Sequence, residues 1–243
     1  MSYALRRAAV ALVAVPAFVL AAGCSSQAGP PIAAATHQPT AAPATGRTLT
    51  EAQLVSAGLT LSELPSHVVF TPVPDGHWTP ASPSADMPTA KPGCQPLIDL
   101  IFGTGEASAE VTVGYQTNGV DTGEIQLASY APSAAAAFFQ SVRQAVNKCS
   151  DIAYTSFIGP NDGTFKSLPA PGLGDDSLSF GMIREGGGPV MDRFEYVRVG
   201  ASTALVLLDG TPITSPPPIV TTDENKSRDL LTAQVAKLRS AEA

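Results

Sequence analysis

The side chains of this sequence most able to do covalent chemistry are its three cysteines, Cys24, Cys94 and Cys149. A cysteine can be acylated, bonded to a second cysteine, or left as a thiol. Neither Cys94 nor Cys149 has a histidine or a second cysteine at the short spacing of zinc sites, and we therefore expect no metal site. The segments around each cysteine decide between the remaining roles.

The residues before Cys24 are those of an export signal. Residues 1–7 contain Arg6 and Arg7 and no acid, and residues 8–22 are small or apolar throughout. A basic start, a short apolar run and a small-residue end are typical of a secretory signal peptide. The apolar run is shorter than the roughly 20 residues that a spanning helix needs. We predict a signal peptide at residues 1–23, with a buried N-terminal helix as the alternative.

The tetrapeptide AAGC at residues 21–24 resembles a bacterial lipobox. The resemblance implies cleavage before Cys24 and attachment of acyl chains such as palmitate to that residue. A single acyl chain holds a protein only marginally, whereas two or more anchor it stably. The resemblance therefore predicts a lipoprotein held at the extracytoplasmic face of the cell membrane through Cys24.

Once Cys24 is assigned to lipid, Cys94 and Cys149 remain, and an even number of cysteines in an exported chain indicates a disulfide. The bond would close 55 residues and stabilise the fold by roughly 4 kcal/mol. Both cysteines lie on apolar stripes of predicted helices, so we expect the bond to join two buried helix faces. Two free buried thiols are the alternative.

The charge balance is acidic. The chain has 14 basic and 21 acidic side chains. Since Arg6 and Arg7 belong to the signal, 12 basic side chains face 21 acidic ones in the mature protein. Nucleic-acid surfaces and polybasic lipid surfaces need clustered positive charge, and we expect neither.

The mature chain consists of two segments that differ in amino-acid composition. Residues 24–48 are rich in proline and alanine, with one charged residue, Arg47, and one large aliphatic, Ile32. Such a segment cannot bury enough apolar surface to offset its ordering entropy, so we predict a disordered tether with a reach of roughly 30 Å as a coil. Residues 49–243 are long enough for a single domain with its own core.

Hydrophobic periodicity predicts both helices and strands in that domain. Four helices are predicted: one from a Thr50 cap to Pro65, one over 94–103, one over 133–149, and one opened by a capping box of Thr221 and Glu224. The predicted strands cover residues 109–116, 124–130, 152–158, 178–184, 191–199 and 203–209, the last three forming a meander. Residues 67–93 are expected to start as a strand and continue as a long loop held by Trp78.

Catalytic constellations are absent from the sequence. Beyond the tether the only histidines are His67 and His77, and no nucleophile motif accompanies them. Asp175 and Asp176 are adjacent, so their side chains are expected to point apart and serve a turn rather than glycoside hydrolysis. The three glycines at 186–188 lack the lysine and helix of a phosphate loop and indicate a hairpin turn. We predict no enzymatic activity and no cofactor.

The order of these motifs is similar to that of one family. A lipobox, a proline- and alanine-rich tether, two cysteine-bearing helices around a strand pair, a GLGDDS turn at 172–177 and a meander resemble actinobacterial cell-envelope lipoproteins. In particular they resemble those similar to the extracellular sensor domain of mycobacterial receptor serine/threonine kinases. The resemblance implies an α+β fold, with an antiparallel sheet, amphipathic helices against it and a cleft that receives a ligand.

Two functions follow from this resemblance and from the missing catalytic groups. The first is a sensor-like domain that binds an unidentified envelope small molecule or protein partner in its cleft. The alternative is a structural or accessory envelope protein that acts through protein–protein contacts.

Overall fold

The structure is a computed structural model that describes residues 46–66, 68–70, 78–81, 89–103, 106–117, 121–156, 159–185, 189–212 and 223–243. All of them belong to one compact unit, Ala41–Ala243. The predicted signal peptide, Cys24 and nearly all of the tether lie outside the described residues, so the predicted boundaries at 23 and 48 stay predictions.

The described chain contains four α-helices and nine strands. The helices are α1 (Glu51–Ala57), α2 (Gln95–Phe102), α3 (Ala134–Lys148) and α4 (Asp223–Glu242), and a 3₁₀ turn covers Leu61–Glu63. The strands are β1 (Val68–Phe70), β2 (Thr79–Pro80), β3 (Ala109–Thr117), β4 (Asp121–Ser129), β5 (Asp151–Ser156), β6 (Gly159–Leu168), β7 (Asp176–Glu185), β8 (Pro189–Val199) and β9 (Ser202–Pro212).

The strands form one antiparallel sheet in the order β1-β3-β4-β9-β8-β7-β6-β5, and β2 also pairs with β3. The strands β3 and β4 pair with each other, and each strand from β5 to β8 pairs with the next one in sequence. The last strand, β9, inserts between β4 and β8, so that it joins the first strands of the chain to the later meander. The predicted α+β class, with helices packed on an antiparallel sheet and one disulfide, is confirmed.

Helices cover both faces of this sheet. On β8, Phe194 and Tyr196 belong to a core shared with α2 and α3, whereas Val197 and Val199 belong to a second core shared with α1 and α4. Because successive side chains of a strand point to opposite faces, these two cores lie on opposite sides of the sheet. We call them the α2–α3 face and the α1–α4 face.

The first predicted helix is shorter than expected. The Thr50 cap is confirmed, since Thr50 and Gln53 exchange the two bonds of a capping box. The helix, however, ends at Ala57 and does not continue to Pro65. A Cβ at Gly58 would overlap the Trp78 indole, and the indole Nε1 donates to the carbonyl oxygen of Leu59 at 3.0 Å. Trp78 therefore fixes the end of α1 while it holds its own segment on the domain.

The structure also has a strand that the sequence analysis does not predict. One strand was expected at 152–158, whereas β5 and β6 form a hairpin there. The segment GPNDGTFKSL of β6 begins with turn-forming residues, which hide its strand character. Its second half, from Gly163 to Leu168, pairs with β7 along the full register. Pairing with a neighbouring strand thus overrides the local preference.

Candidate functional site

The adjacent acids Asp175 and Asp176 converge on one arginine. Arg198 Nε and Nη2 donate to Asp176 Oδ2 at 2.9 and 2.8 Å, and Nη1 lies 3.4 Å from Asp175 Oδ2. Arg143 of α3 donates to the second oxygen of Asp176 at 3.2 Å. The expectation that the two side chains point apart is wrong. Both carboxylates are occupied by a nearly buried guanidinium, so this pair ties β7 to β8 and α3.

The disulfide between Cys94 and Cys149 is present, with a Cα–Cα distance of 5.9 Å. As expected, it lies at the buried faces of the two helices, since Cys149 belongs to the core of the α2–α3 face and Cys94 packs against that core. Cys94 is the N-cap of α2 and Cys149 is the C-cap of α3, so the bond joins the start of one helix to the end of the other. The buried residues of α2 are Leu97, Ile98 and Leu100. The bond fixes the position of the N-terminal end of α2 against α3. Because α2 is a helix of only eight residues, the position of its C-terminal end is fixed as well.

The end of α2 borders a groove over the first two long strands. Its floor is formed by Glu110 and Thr112 of β3 and by Glu124 and Gln126 of β4. Thr112 and Gln126 lie directly opposite each other in the register. Strand parity puts these four side chains on the α2–α3 face, since Val111 and Ile125 beside them belong to the other core.

The walls of the groove are largely apolar. Ile101, Phe102 and Gly103 form one wall at the end of α2, and Pro80 and Ala81 form the other. The backbone N–H of Ala81 donates to the carbonyl oxygen of Glu110 at 3.0 Å, which fixes the second wall to β3. The groove is open to solvent and has a volume of about 290 Å³.

Gly103 allows the helix end to approach the carboxylate of Glu110. Its φ of +85° lies in the region that favours glycine. A Cβ at this position would come within 3.2 Å of Glu110 Oε1. The same carboxylate oxygen accepts a hydrogen bond from Gln126 Nε2. Glu110 is thereby held between the helix end and the neighbouring strand.

The groove is acidic. Among the described residues, its lining contains two carboxylates, Glu110 and Glu124, and no lysine or arginine. The side chain of Glu124 is exposed to the groove, and partial desolvation by the surrounding protein raises the pKa of its carboxyl group. The negative charge of Glu110 raises this pKa further. A positive charge placed between the two carboxylates favours the charged form of Glu124 and so offsets both effects on its pKa.

Sequence reasoning did not single out Glu110, Glu124 and Gln126. The sequence signal for these residues is the alternation of polar and apolar residues in AEVTVGYQ and EIQLASY, which gives each strand one polar and one apolar face. A polar strand face is normally a solvated one. Only the position of α2 shows that this polar face is the floor of a groove.

Other candidates from the sequence are elsewhere or undescribed. Cys24, the histidines His67 and His77, and the glycines at 186–188 lie outside the described residues. Within the described ranges, no three histidine, cysteine or acidic side chains are grouped as a metal site requires. In the same ranges, no helix combines the length and the apolar character needed to cross a membrane.

Comparison with solved structures shows which known folds this architecture is similar to. The extracellular domain of PknH from Mycobacterium tuberculosis matches with a TM-score of 0.54 and 15% sequence identity, over 80% of this chain and 99% of that one. A putative uncharacterized protein from Mycobacterium smegmatis matches with a TM-score of 0.40 and 13% identity, over 83% and 98% of the two chains. No family model and no curated protein matches the sequence. The chain therefore has a fold like that of the extracellular domain of a mycobacterial kinase, as the sequence resemblance predicts.

Proposed function

We propose that the protein is a lipid-anchored, extracytoplasmic sensor-like domain that binds a small cationic ligand in the acidic groove and catalyses no reaction. The observation that carries the proposal is the groove itself. Among the described residues, its lining combines two carboxylates and a buried amide with bordering apolar residues and contains no lysine or arginine. Concave sites with a few converging polar groups and a perturbed pKa are the usual places of ligand binding.

The ligand class follows from the groove's chemistry. A carboxylate pair favours a cation, and the overall charge of −7 attracts cations from a distance. The apolar residues Ile101 and Phe102 border the groove, but most of the surface that the groove presents is polar, so only a short hydrocarbon portion fits beside them. An ammonium or guanidinium group with a short hydrocarbon portion satisfies both requirements.

The location follows from the N-terminal sequence. The lipobox-like AAGC predicts an acylated Cys24, and the fold is like that of an extracellular domain. The tether then separates the groove-bearing domain from the membrane. The absence of a catalytic role is supported by Asp175 and Asp176, the adjacent acids of the sequence, which are both engaged by Arg198.

The anchor is tested with Cys24→Ser. We expect the wild-type protein to partition into the detergent phase and the variant to remain in the aqueous phase, because the variant has no sulfur to acylate. Intact-mass measurement of the wild type should show the acyl adduct. A variant that stays in the detergent phase would contradict the anchor.

The groove is tested by titrating the protein with butylammonium and following the side-chain amide of Gln126 by NMR. We expect saturable binding that Glu124→Gln weakens about tenfold, which corresponds to the loss of one charge-assisted contact. Asp229→Asn, an exposed acid on α4 that removes the same charge far from the groove lining, is the matched control and should bind like the wild type.

Acid should weaken this binding. Protons compete with the ligand for Glu124, whose raised pKa means that protonation begins at a higher pH than for an ordinary glutamate. Binding is therefore expected above that pKa and lost as the pH falls through it. Equal affinities for the wild type and Glu124→Gln at a pH well above that pKa, where Glu124 carries its charge, would overturn the proposal for the groove.

A further inference from the structure

A second pocket lies on the opposite face of the sheet, between α1 and α4. It has a volume of about 450 Å³. Gln53 and Ser56 line it from α1, Lys237 and Ser240 line it from α4, and Arg47 closes it where the chain enters the domain. Among the described residues, its lining contains two cations and no carboxylate, and each of these cations interacts with a carboxylate outside the lining.

Both cations are held in place by other contacts. Lys237 Nζ donates to the carbonyl oxygen of Gly58 at 2.6 Å and to Glu63 Oε2 at 2.7 Å. Arg47 donates through Nε and Nη2 to the carbonyl oxygen of Ala241, at 3.2 and 2.8 Å. These contacts restrict the rotamers of both side chains, so less entropy is lost when a ligand binds.

Some N–H groups of the side chains that line the pocket are not used by these contacts. Among the described residues, Lys237 uses two of its three N–H groups, and Arg47 uses Nε and Nη2 but not Nη1. Gln53 is fixed through its oxygen, which accepts from the backbone N–H of Thr50 at 2.9 Å. Its Nε2 has no acceptor in the described chain. The two serines do not add donors, since Ser56 and Ser240 donate to carbonyl oxygens of their own helices.

We propose that this pocket binds a phosphate group that carries a small alcohol substituent. A phosphate offers several acceptor oxygens and negative charge, which match a guanidinium, an ammonium and an amide N–H₂ that line the same pocket. The volume leaves room for the substituent. The group can come from an anionic lipid headgroup or from a soluble phosphate ester.

The place of the pocket makes the lipid a realistic source. Arg47 is 23 residues after Cys24. If the predicted tether is a coil, its average end-to-end distance over this length is roughly 30 Å. If Cys24 is acylated, as proposed above, the pocket is therefore within reach of the headgroups. The phosphate site itself does not depend on that anchor.

The decisive variant is Gln53→Glu. Glutamate at this position preserves the capping box with Thr50, because Glu is a preferred residue three positions after a threonine cap. It replaces the free N–H₂ group of the pocket by a carboxylate oxygen. We therefore expect unchanged or higher thermal stability together with at least a tenfold loss of phosphate affinity. Arg47→Gln should also weaken binding.

The measurement is a calorimetric titration of the full chain with glycerol 1-phosphate, and sedimentation of the Cys24→Ser chain with phosphatidylcholine vesicles that contain or lack phosphatidylglycerol. Arg239→Gln, on the same helix but outside the pocket lining, is the charge-matched control. Binding to phosphatidylglycerol vesicles that Gln53→Glu abolishes assigns a lipid headgroup. Binding of glycerol 1-phosphate alone, with the same sensitivity, assigns a soluble ester.

The proposal is overturned if neither probe binds saturably, or if Gln53→Glu binds both probes like the wild type. Its failure is distinct from a failure of the acidic groove, because Gln53→Glu and Glu124→Gln change opposite faces of the sheet and are read with ligands of opposite charge.

Discussion

The side chain of Arg198 contacts several neighbouring groups and holds them in place. Its side chain is only 4% exposed, and it contacts both Asp175 and Asp176 as well as the carbonyl oxygen of Gly200 at 2.9 Å. A buried guanidinium is stable only when its charge and its donors are matched. Asp176 supplies the closer contacts, and Asp175 lies nearer to solvent.

We expect Asp176→Asn to destabilise the protein by about 3 kcal/mol, because it leaves the buried charge of Arg198 poorly compensated. Asp175→Asn is the matched control. Its carboxylate is 46% exposed and 3.4 Å from Arg198, so we expect a loss of less than about 1 kcal/mol. Urea unfolding of both variants gives the comparison, and equal losses would contradict this account.

At the scale of single residues, the sequence predicts burial well for apolar side chains and poorly for charged ones. Phe138, Val142 and Ala145 were placed on the buried face of α3, and they are buried. Arg193 and Glu195 of β8 are also buried, and they form an ion pair at 3.0 Å on the same strand face as Val197. A pattern of alternating charged residues gives no sign that a helix will cover them.

Among the elements, the pair α2–α3 depends most on a covalent bond. The helix α2 has eight residues, too few for a stable helix in isolation. The disulfide joins its first turn to the end of α3, and α3 in turn packs on β6, β7 and β8. The wall that α2 gives to the acidic groove is therefore positioned by a bond at the opposite end of the helix.

Replacing both bonded cysteines by serine should lower the free energy of unfolding by about 4 kcal/mol, since the bond closes 55 residues. Reduction of the wild-type protein should have the same effect, which provides the control. The loss is expected to loosen α2 first, and therefore to weaken butylammonium binding before the sheet unfolds. Unchanged stability in both experiments would contradict this role of the bond.

The elements were predicted more reliably than their ends. Helices α3 and α4 have strong apolar stripes, and the meander β7–β8–β9 has clear alternation, so local pattern was sufficient for each. The early end of α1 depends on Trp78, which is twenty residues away from Gly58 along the chain. The strand β6 depends on β7. Contacts between distant segments decide these features, and a local pattern does not contain them.

At the scale of the whole molecule, the position of β9 determines how the two halves of the sheet are connected. It pairs with β4 on one side and β8 on the other, so the two halves of the sheet share their central strand. The same strand contributes side chains to both cores, with Leu205 on the α2–α3 face and Val206 on the α1–α4 face.

We therefore expect the domain to unfold in one cooperative transition. Fluorescence of Trp78, the only tryptophan, reports on the α1–α4 face, and circular dichroism reports on the whole sheet. The two denaturation curves should coincide, as expected for a two-state domain. Two separate midpoints would show that the halves of the sheet fold independently.

The way in which the chain enters the domain has a mechanical consequence. Arg47 is bonded to the last turn of α4, Thr48 Oγ1 donates to the carbonyl oxygen of Tyr130 at 2.8 Å, and the backbone N–H of Leu49 donates to Ser129 Oγ at 2.8 Å. A pulling force applied through the preceding segment would thus be distributed at once over a helix end and the end of a central strand. Such a force would therefore reach the sheet and α4 before it reached the groove beside α2.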